Sequence, residues 1–149
     1  MAAPVERAMD QSIPPQPVPD ADTLGFWQAT RRGELELCRC DACGRFLQPP
    51  LERCRHCGGA TSFAAVSGRG TIHSFIVARH PAVPGYLEDL PYVVGLVELD
   101  EQPGLRLVGR IIASGTRSVT IGDRVRAEIV PLAGGEFQVP VFRLAETGG

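Results

Sequence analysis

The stretch CRCDACGRFLQPPLERCRHCGG, residues 38–59, contains all five cysteines of this 149-residue chain. Two pairs inside it share one spacing, Cys40-x2-Cys43 and Cys54-x2-Cys57, and ten residues separate the pairs. A glycine follows each pair, so the backbone can turn tightly enough for its amides to point at sulfur. Two such knuckles supply four thiolates in a tetrahedron, which predicts a metal-binding ribbon.

Zinc suits four thiolates best because it is tetrahedral and redox-inert, and iron in a rubredoxin-like site is the alternative. A closed four-cysteine site has no open position for water or substrate, so we expect one structural metal per chain. Cys38 is surplus, since only one residue separates it from Cys40, and we expect a buried strand residue there. Four arginines flank the site, either to balance the thiolates or to contact an anionic ligand: Arg39, Arg45, Arg53 and Arg55.

The composition narrows the classes of partner. All 15 basic residues are arginine, and the formal charge of −2 gives no overall field that would attract nucleic acid or an anionic membrane. No stretch approaches the roughly 18 apolar residues of a membrane-spanning helix, and the N-terminus lacks a signal-peptide pattern. We therefore expect a cytoplasmic protein without a membrane partner, in which clustered cysteines stay reduced and bind metal.

Three zones precede or follow the ribbon, which we assign to residues 38–62. Residues 1–20 are rich in proline and lack apolar periodicity, which predicts a flexible arm, either a disordered tail or a segment that lies on a partner. Residues 21–37 predict an N-terminal helix of about three turns and a lead-in strand. The helix is indicated by an N-cap at Asp22 or Thr23 and by an apolar side with Leu24, Phe26 and Trp27. The strand is indicated by Leu35 and Leu37.

Residues 63–149 read as five strands rich in Val, Ile, Leu and Phe, with turn residues between them. No long helical pattern separates the strands, so we expect an antiparallel, curled sheet that forms a small OB-fold barrel. The fold class is therefore mostly β: a short helix, a rubredoxin-like zinc ribbon and a five-stranded barrel. The five segments are GTIHSFIVAR (70–79), PYVVGLVELD (91–100), LRLVGRIIAS (105–114), RVRAEIVPL (124–132) and EFQVPVFRLA (136–145).

The sequence offers no catalytic constellation. Three histidines, His56, His73 and His80, fall in no nucleophile–base or metalloprotease signature. The loop at residues 78–91 is longer than a hairpin needs, and long loops on rigid barrels are common binding sites. We predict no catalytic residue and expect the chain not to be a self-sufficient enzyme.

Several motifs, in this order, resemble the DUF35 family of zinc-ribbon plus OB-fold proteins across roughly residues 20–145: FW, GELELCRC, CDACGRFLQPP, CRHCGG, GRGTIHSF, PYVVGLVELD and IGDRVRAEI. The resemblance implies a non-catalytic subunit that binds an acyl-CoA, or completes the CoA site of a thiolase-like partner such as a thiolase, an acyl-transferring synthase or a lipid-transfer-protein aldolase. The four CxxC cysteines match the family's ligand positions. Weaker candidates for CoA contact are Arg45, Arg55, Arg79, His80 and Tyr86.

A nucleic-acid-binding protein is the alternative, because zinc ribbons and OB folds also occur together in proteins that bind RNA or DNA. Such a protein needs basic stripes and aromatic platforms on its barrel. This chain has a net negative charge and only 6% aromatic residues. The composition therefore favours the acyl-CoA interpretation.

Overall fold

The computed structural model describes residues 13–115 and 117–146. One helix precedes a small three-stranded sheet, and a closed five-stranded barrel follows, so the predicted fold class is confirmed. The elements are α1 (Leu24–Arg31), β1 (Glu36–Cys40), β2 (Phe46–Leu47), β3 (Thr61–Ala65), β4 (Arg69–Ala78), β5 (Tyr92–Leu99), β6 (Arg106–Ile112), β7 (Arg124–Pro131) and β8 (Gln138–Leu144).

The ribbon is built on β1, which pairs antiparallel with β2 on one side and with β3 on the other. Cys38 lies opposite Leu47 in β2 and opposite Phe63 in β3. The first CxxC pair begins at the last residue of β1, and an isolated bridge between Arg53 and Ala60 frames the second pair. The small sheet thus holds both knuckles at one end.

The barrel has the strand order β4-β5-β6-β8-β7, and β7 pairs with β4 to close it. All of its pairs are antiparallel except β6 and β8, which run parallel. The expectation of a purely antiparallel sheet is wrong for this pair. Strands of alternating direction cannot close a ring of five, because an odd number leaves two neighbours that point the same way.

Part of the ribbon packs into the hydrophobic core of the barrel, and a second, smaller cluster lies within the ribbon. Leu37 and Phe46 come from the ribbon sheet, and they belong to the same buried cluster as Ile72, Val97 and Phe142 of the barrel. The side chain of Gln102, in the turn after β5, also bonds to both backbone groups of Phe46, accepting from its N–H at 2.9 Å and donating to its carbonyl at 3.0 Å. The two parts are therefore packed together and hydrogen-bonded.

Helix α1 has eight residues, about two turns, and is shorter than the sequence predicts. Thr23, one of the two predicted residues, occupies the N-cap position, but its side chain makes no cap hydrogen bond. Instead, the Asp20 carboxylate accepts hydrogen bonds from the amides of Asp22, at 3.0 Å, and Thr23, at 2.9 Å, in the turn before the helix. Trp27 packs edge-on against Phe137, just before β8, with ring centroids 5.5 Å apart. The helix therefore packs against the barrel.

Part of the proline-rich N-terminal segment lies on the barrel. Residues 1–12, where most of the predicted arm falls, lie outside the described residues. Among the described ones, Pro14 is buried, and the side-chain amide of Gln16 donates to the carbonyl of Ala133 at 2.8 Å. None of the helices in the described part of the chain is long and apolar enough to cross a membrane.

Candidate metal centre and ligand grooves

The two CxxC segments form knuckles of matching geometry. In the first, the Gly44 amide donates to the carbonyl of Cys40 at 3.0 Å, and in the second the Gly58 amide donates to the carbonyl of Cys54 at 2.8 Å. Both glycines have positive φ, +76° and +75°, a conformation that other residues adopt only with strain. The glycine that follows each CxxC pair is thus what allows each turn.

The knuckles bring four thiols together. The Sγ atoms of Cys40, Cys43, Cys54 and Cys57 all lie within 4.8 Å of one another. Cys40 and Cys57 are 3.5 Å apart at sulfur, and Cys43 and Cys54 are 3.7 Å apart. A tetrahedron with Zn–S bonds near 2.3 Å has edges of about 3.8 Å. The four sulfurs therefore fit a tetrahedral metal ion of this kind, with no ligand position left over.

Backbone amides prepare two of these thiols to ionise. The Cys43 amide donates to the Sγ of Cys40 at 3.4 Å and is the main reason that the pKa of Cys40 falls to about 6. Burial opposes ionisation of Cys54, but the amides of His56 and Cys57 outweigh it and lower the pKa of Cys54. The Gly59 amide favours the Cys57 thiolate, yet the neighbouring Cys40 sulfur and burial raise the pKa of Cys57 to about 11. Without a cation, the four sulfurs cannot all be charged at this distance.

Cys38 and two of the flanking arginines have other contacts. Cys38 is buried in β1, outside the four-thiol group, and its Sγ lies 3.5 Å from the carbonyl of Leu51. The guanidinium of Arg39 donates to the Gly44 carbonyl at 2.8 Å and lies over the ring of Phe46. Arg45 contacts Nδ1 of His56 at 2.9 Å, across the two knuckles. These arginines brace the ribbon that carries the thiols.

Sequence reasoning missed Gly59. Its φ is not positive, but a Cβ built there would lie 2.9 Å from the Cβ of Ala42 and 3.0 Å from the Sγ of Cys40. The second knuckle thus approaches the first so closely that a side chain at this position would have to push its neighbours apart. The doubled glycine in CRHCGG was the signal, since only its first glycine is needed for the turn.

The candidate CoA contacts of the long loop do not meet those of the ribbon. Arg79 and His80 are exposed, whereas Tyr86 is half-buried, with its ring centroid 5.6 Å from that of Tyr92. Among the described residues, no hydrogen bond or ion pair joins Arg45 or Arg55 to this loop. The five candidates are therefore divided between two regions.

Tyr92 and Arg110, which the sequence did not single out, lie near Tyr86. The guanidinium of Arg110 lies 5.3 Å from the ring centroid of Tyr92 and donates to the Asp89 carboxylate at 2.9 Å. Burial and the neighbouring Tyr92 raise the pKa of Tyr86. This region lines a groove of about 550 Å³ on the outside of the barrel.

A second groove, of about 430 Å³, lies where the helix, the ribbon and the barrel meet. Its surface is mostly apolar and has Arg106 at its edge, paired with Glu98 at 3.3 Å. Such a groove can hold a narrow apolar chain. The apolar side chains that line it are Phe26, Trp27, Pro50, Phe63, Leu107, Val108, Val139 and Pro140.

Family models match both parts of the chain. Residues 27–63 match the rubredoxin-like zinc ribbon domain of ChsH2, and residues 64–130 match the C-terminal OB-fold domain of ChsH2. The first match contains all four clustered cysteines, and the second begins at the end of β3 and ends in β7. The two matches meet where the ribbon passes into the barrel.

Two relatives are described as subunits of hydratases. A probable enoyl-CoA hydratase alpha subunit from Thermomonospora curvata is 35% identical over 136 residues, which is 91% of this chain and 41% of that protein. The 3-oxo-4,17-pregnadiene-20-carboxyl-CoA hydratase alpha subunit from Mycobacterium tuberculosis is 33% identical over 123 residues, 82% of this chain and 38% of that protein. The chain thus spans about two fifths of the length of each relative.

Solved structures agree with the family models. A chain of the Ltp2-ChsH2(DUF35) aldolase is 34% identical, with a TM-score of 0.77, over 87% of this chain and 98% of that one. A DUF35 protein from Sulfolobus solfataricus shares the fold, with a TM-score of 0.51 at 16% identity, over 80% of this chain and 82% of that one. With its four-thiol ribbon, its closed barrel and these likenesses, the chain belongs to the DUF35 family of zinc-ribbon plus OB-fold proteins, in its ChsH2 branch.

Proposed function

We propose that this chain is a non-catalytic subunit that binds an acyl-CoA, or completes the CoA site of a thiolase-like partner enzyme. The observation that carries the proposal is the likeness to the DUF35 chain of the Ltp2-ChsH2 aldolase, which extends over 98% of that chain. Both hydratase relatives are also described as alpha subunits that act on CoA esters. These likenesses support a role in handling a CoA ester beside another polypeptide.

Zinc is the metal that we propose for the ribbon, with Cys40, Cys43, Cys54 and Cys57 as its ligands. The donor set supports this assignment because four thiolates at tetrahedral spacing suit zinc best. When bound, the metal supplies folding energy to the ribbon, and the four sulfurs leave no position for a substrate. The chemistry of the complex would therefore belong to the partner.

The groove between helix, ribbon and barrel is the place that best suits the thin arm of a CoA ester. Pantetheine and an acyl chain are narrow and largely apolar, and Phe26, Trp27 and Phe63 offer matching walls. Arginines of the ribbon can neutralise phosphates without a strongly basic surface. Arg45 and Arg55 are exposed on the ribbon and remain candidates for this role, as do Arg79, His80 and Tyr86 on the loop.

The nucleic-acid alternative has less support. On the outer face of the barrel, Ser74, Leu96 and Val108 stand in one cross-strand row. The neighbouring Ile76 is 66% exposed and Val108 is 62% exposed. Aliphatic side chains do not stack with bases as aromatic platforms do. A salt-dependent gel shift with single-stranded RNA or DNA at micromolar protein would restore this alternative.

Co-expression with thiolase-like proteins of the same host tests the main proposal. We expect co-elution in gel filtration and, by calorimetry, binding of a CoA ester to the complex. The variants Arg45→Ala and Arg55→Ala should weaken CoA binding if these residues contact phosphate, whereas Arg126→Ala, an exposed barrel arginine, should not. Elution of the chain alone, with no CoA ester bound in either sample, would refute the proposal.

A further inference from the structure

Residues 13–17, hereafter the strap, lie against the outside of the barrel. Pro14 is buried, and the Gln16 side-chain amide donates to the carbonyls of both Pro14, at 3.0 Å, and Ala133, at 2.8 Å. Ala133 belongs to the turn between β7 and β8, so Gln16 ties the strap to a point more than 100 residues away in sequence. The strap is therefore held by one specific hydrogen bond to the barrel in addition to the packing of its prolines.

Glycines stand at three points where loops of the barrel meet the strap. A Cβ built on Gly85 would overlap Pro14, one on Gly134 would overlap Ile13, and one on Gly135 would overlap the side chain of Gln16. Gly85 is in the long loop between β4 and β5, and the other two are in the turn between β7 and β8. Because these positions lack side chains, the β4–β5 loop and the β7–β8 turn leave room for the strap.

The long loop, residues 79–91, depends on side-chain contacts for its position. Its backbone hydrogen bonds in the described structure are local, from Ala82 to His80 and within the 3-10 turn at Leu87–Asp89. One side of the loop is fixed by the pair of Asp89 with Arg110, at 2.9 Å. The other is covered by Pro14 at Gly85. Without the strap, the loop would be held by this ion pair and by the packing of Tyr86 on Tyr92.

The strap, the loop and the barrel together line the 550 Å³ groove beside Tyr86. Pro14, Pro15 and Pro17 line it on the strap side, and Tyr86 of the loop and Tyr92 at the start of β5 also line it. Aromatic grooves commonly hold proline-rich segments, because prolines lose little conformational entropy on docking. We propose that the strap is a proline-rich ligand docked in cis, which locks loop 79–91 in place and forms one wall of the groove, so that loss of the strap would free the loop and expose the apolar surface beneath it. This inference does not depend on the proposed CoA role.

Gly134→Ala tests the strap, and Gly104→Ala is its matched control. Both glycines have positive φ, +87° and +79°, so both variants carry the same backbone strain. Only Gly134 is next to the strap, since nothing lies within 4 Å of a Cβ at Gly104. A second variant, Gln16→Ala, removes the bond to Ala133 without strain. Comparison of the three separates release of the strap from loss of stability.

Two measurements on the full chain decide the question. In the natural chain and in Gly134→Ala, the side-chain amide signals of Gln16 in NMR report whether the strap is bound, and in every variant the hydrogen exchange of residues 79–91 reports whether the loop is held. We expect Gly134→Ala and Gln16→Ala to speed exchange in the loop by about tenfold or more, and to raise the fluorescence of the dye anilinonaphthalene sulfonate, with neither change in Gly104→Ala. Unchanged loop exchange in both strap variants would overturn the proposal, whether or not the Gln16 signals show release.

Discussion

At the residue scale, the metal centre depends on a glycine as much as on its sulfurs. Gly59 lies between Ala42 of the first knuckle and the sulfurs of Cys40 and Cys57. The distances from an added Cβ to these atoms, 2.9–3.3 Å, are shorter than normal van der Waals contact. The knuckles could accept a side chain here only by moving apart, and that movement would widen the tetrahedron of thiols.

We expect Gly59→Ala to lower zinc affinity at least about tenfold, which corresponds to about 1.4 kcal/mol. The reason is overpacking, which typically costs 1–3 kcal/mol, about the value expected here. Competition with a chromogenic chelator measures the affinity. Adding Ala42→Gly to the variant removes the shortest overlap and should restore part of the loss. A variant that binds zinc as tightly as the natural chain would show that the knuckles tolerate a wider spacing.

The five cysteines should divide into four ligands and one bystander. Cys54→Ser removes a sulfur from the group of four, so we expect loss of bound zinc and a protease-sensitive ribbon. Cys38→Ser alters a buried thiol outside that group, and the protein should retain one equivalent of zinc. Metal analysis of the two purified variants makes the comparison. Equal zinc content in both would contradict the ligand assignment.

At the element scale, the sequence predicts the positions of the strands but not the strand pairing that closure of the barrel requires. The five barrel strands match their apolar segments to within two residues at each end, because strand periodicity and turn residues are local signals. The parallel pairing of β6 with β8 depends on the ring of five and has no local signal. Strand β2 has only two residues, Phe46 and Leu47, which is too short to show a period.

The same limit applies to the candidate site. The four cysteines could be predicted because the spacing of metal ligands is visible in the sequence. The need for glycine at position 59 becomes clear only when its neighbours in space are known. Tyr92 and Arg110 come from different strands, and they reach Tyr86 only through the fold. Residues that act through tertiary contact carry no motif of their own.

Closure of the barrel includes an ion pair whose effect depends on pH. Arg124, at the start of β7, donates two hydrogen bonds to Asp100, at 2.7 and 2.6 Å, and a third to Thr71 of β4. The hydrogen bonds from Arg124 hold the pKa of Asp100 below its ordinary value of 3.8. The pair therefore contributes stability above pH 3.8, and this contribution is lost as the pH falls below that value, through the lowered pKa.

We expect Asp100→Asn to reduce the free energy of unfolding by about 0.5–1 kcal/mol at pH 7, because the pair is bidentate but largely exposed. The difference from the natural chain should shrink as the pH falls through the lowered pKa of Asp100. Urea unfolding at pH 7 and at pH 2.5–3 tests both points. The Arg106–Glu98 pair, which joins β6 to β5, provides the control variant Glu98→Gln. A difference that stays constant with pH would show that the carboxylate charge is not responsible.

At the scale of the whole molecule, metal binding and barrel stability are joined through one core. Leu35, Leu37 and Phe46 leave the ribbon to pack with barrel residues, and Gln102 reaches back from the barrel to the backbone of Phe46. Phe46 is 8% exposed and lies only three residues beyond Cys43. Loss of the metal would free the knuckle that positions Phe46, so the disturbance would reach the barrel core directly.

Chelation of the metal should therefore destabilise the barrel as well as the ribbon. Removing a buried phenylalanine from a core costs roughly 3–5 kcal/mol, and each kcal/mol lowers the Tm of a domain of this size by about 2–4 °C. We expect a strong chelator to lower the Tm of the barrel by about 10 °C, read from hydrogen exchange in β5 and β6 during a thermal series. In Gln102→Ala the bonds to Phe46 are missing, so the barrel should already be weaker and should respond less to the chelator. If the barrel strands unfold at the same temperature with and without metal, the ribbon and the barrel are independent, and the shared core transmits nothing between them.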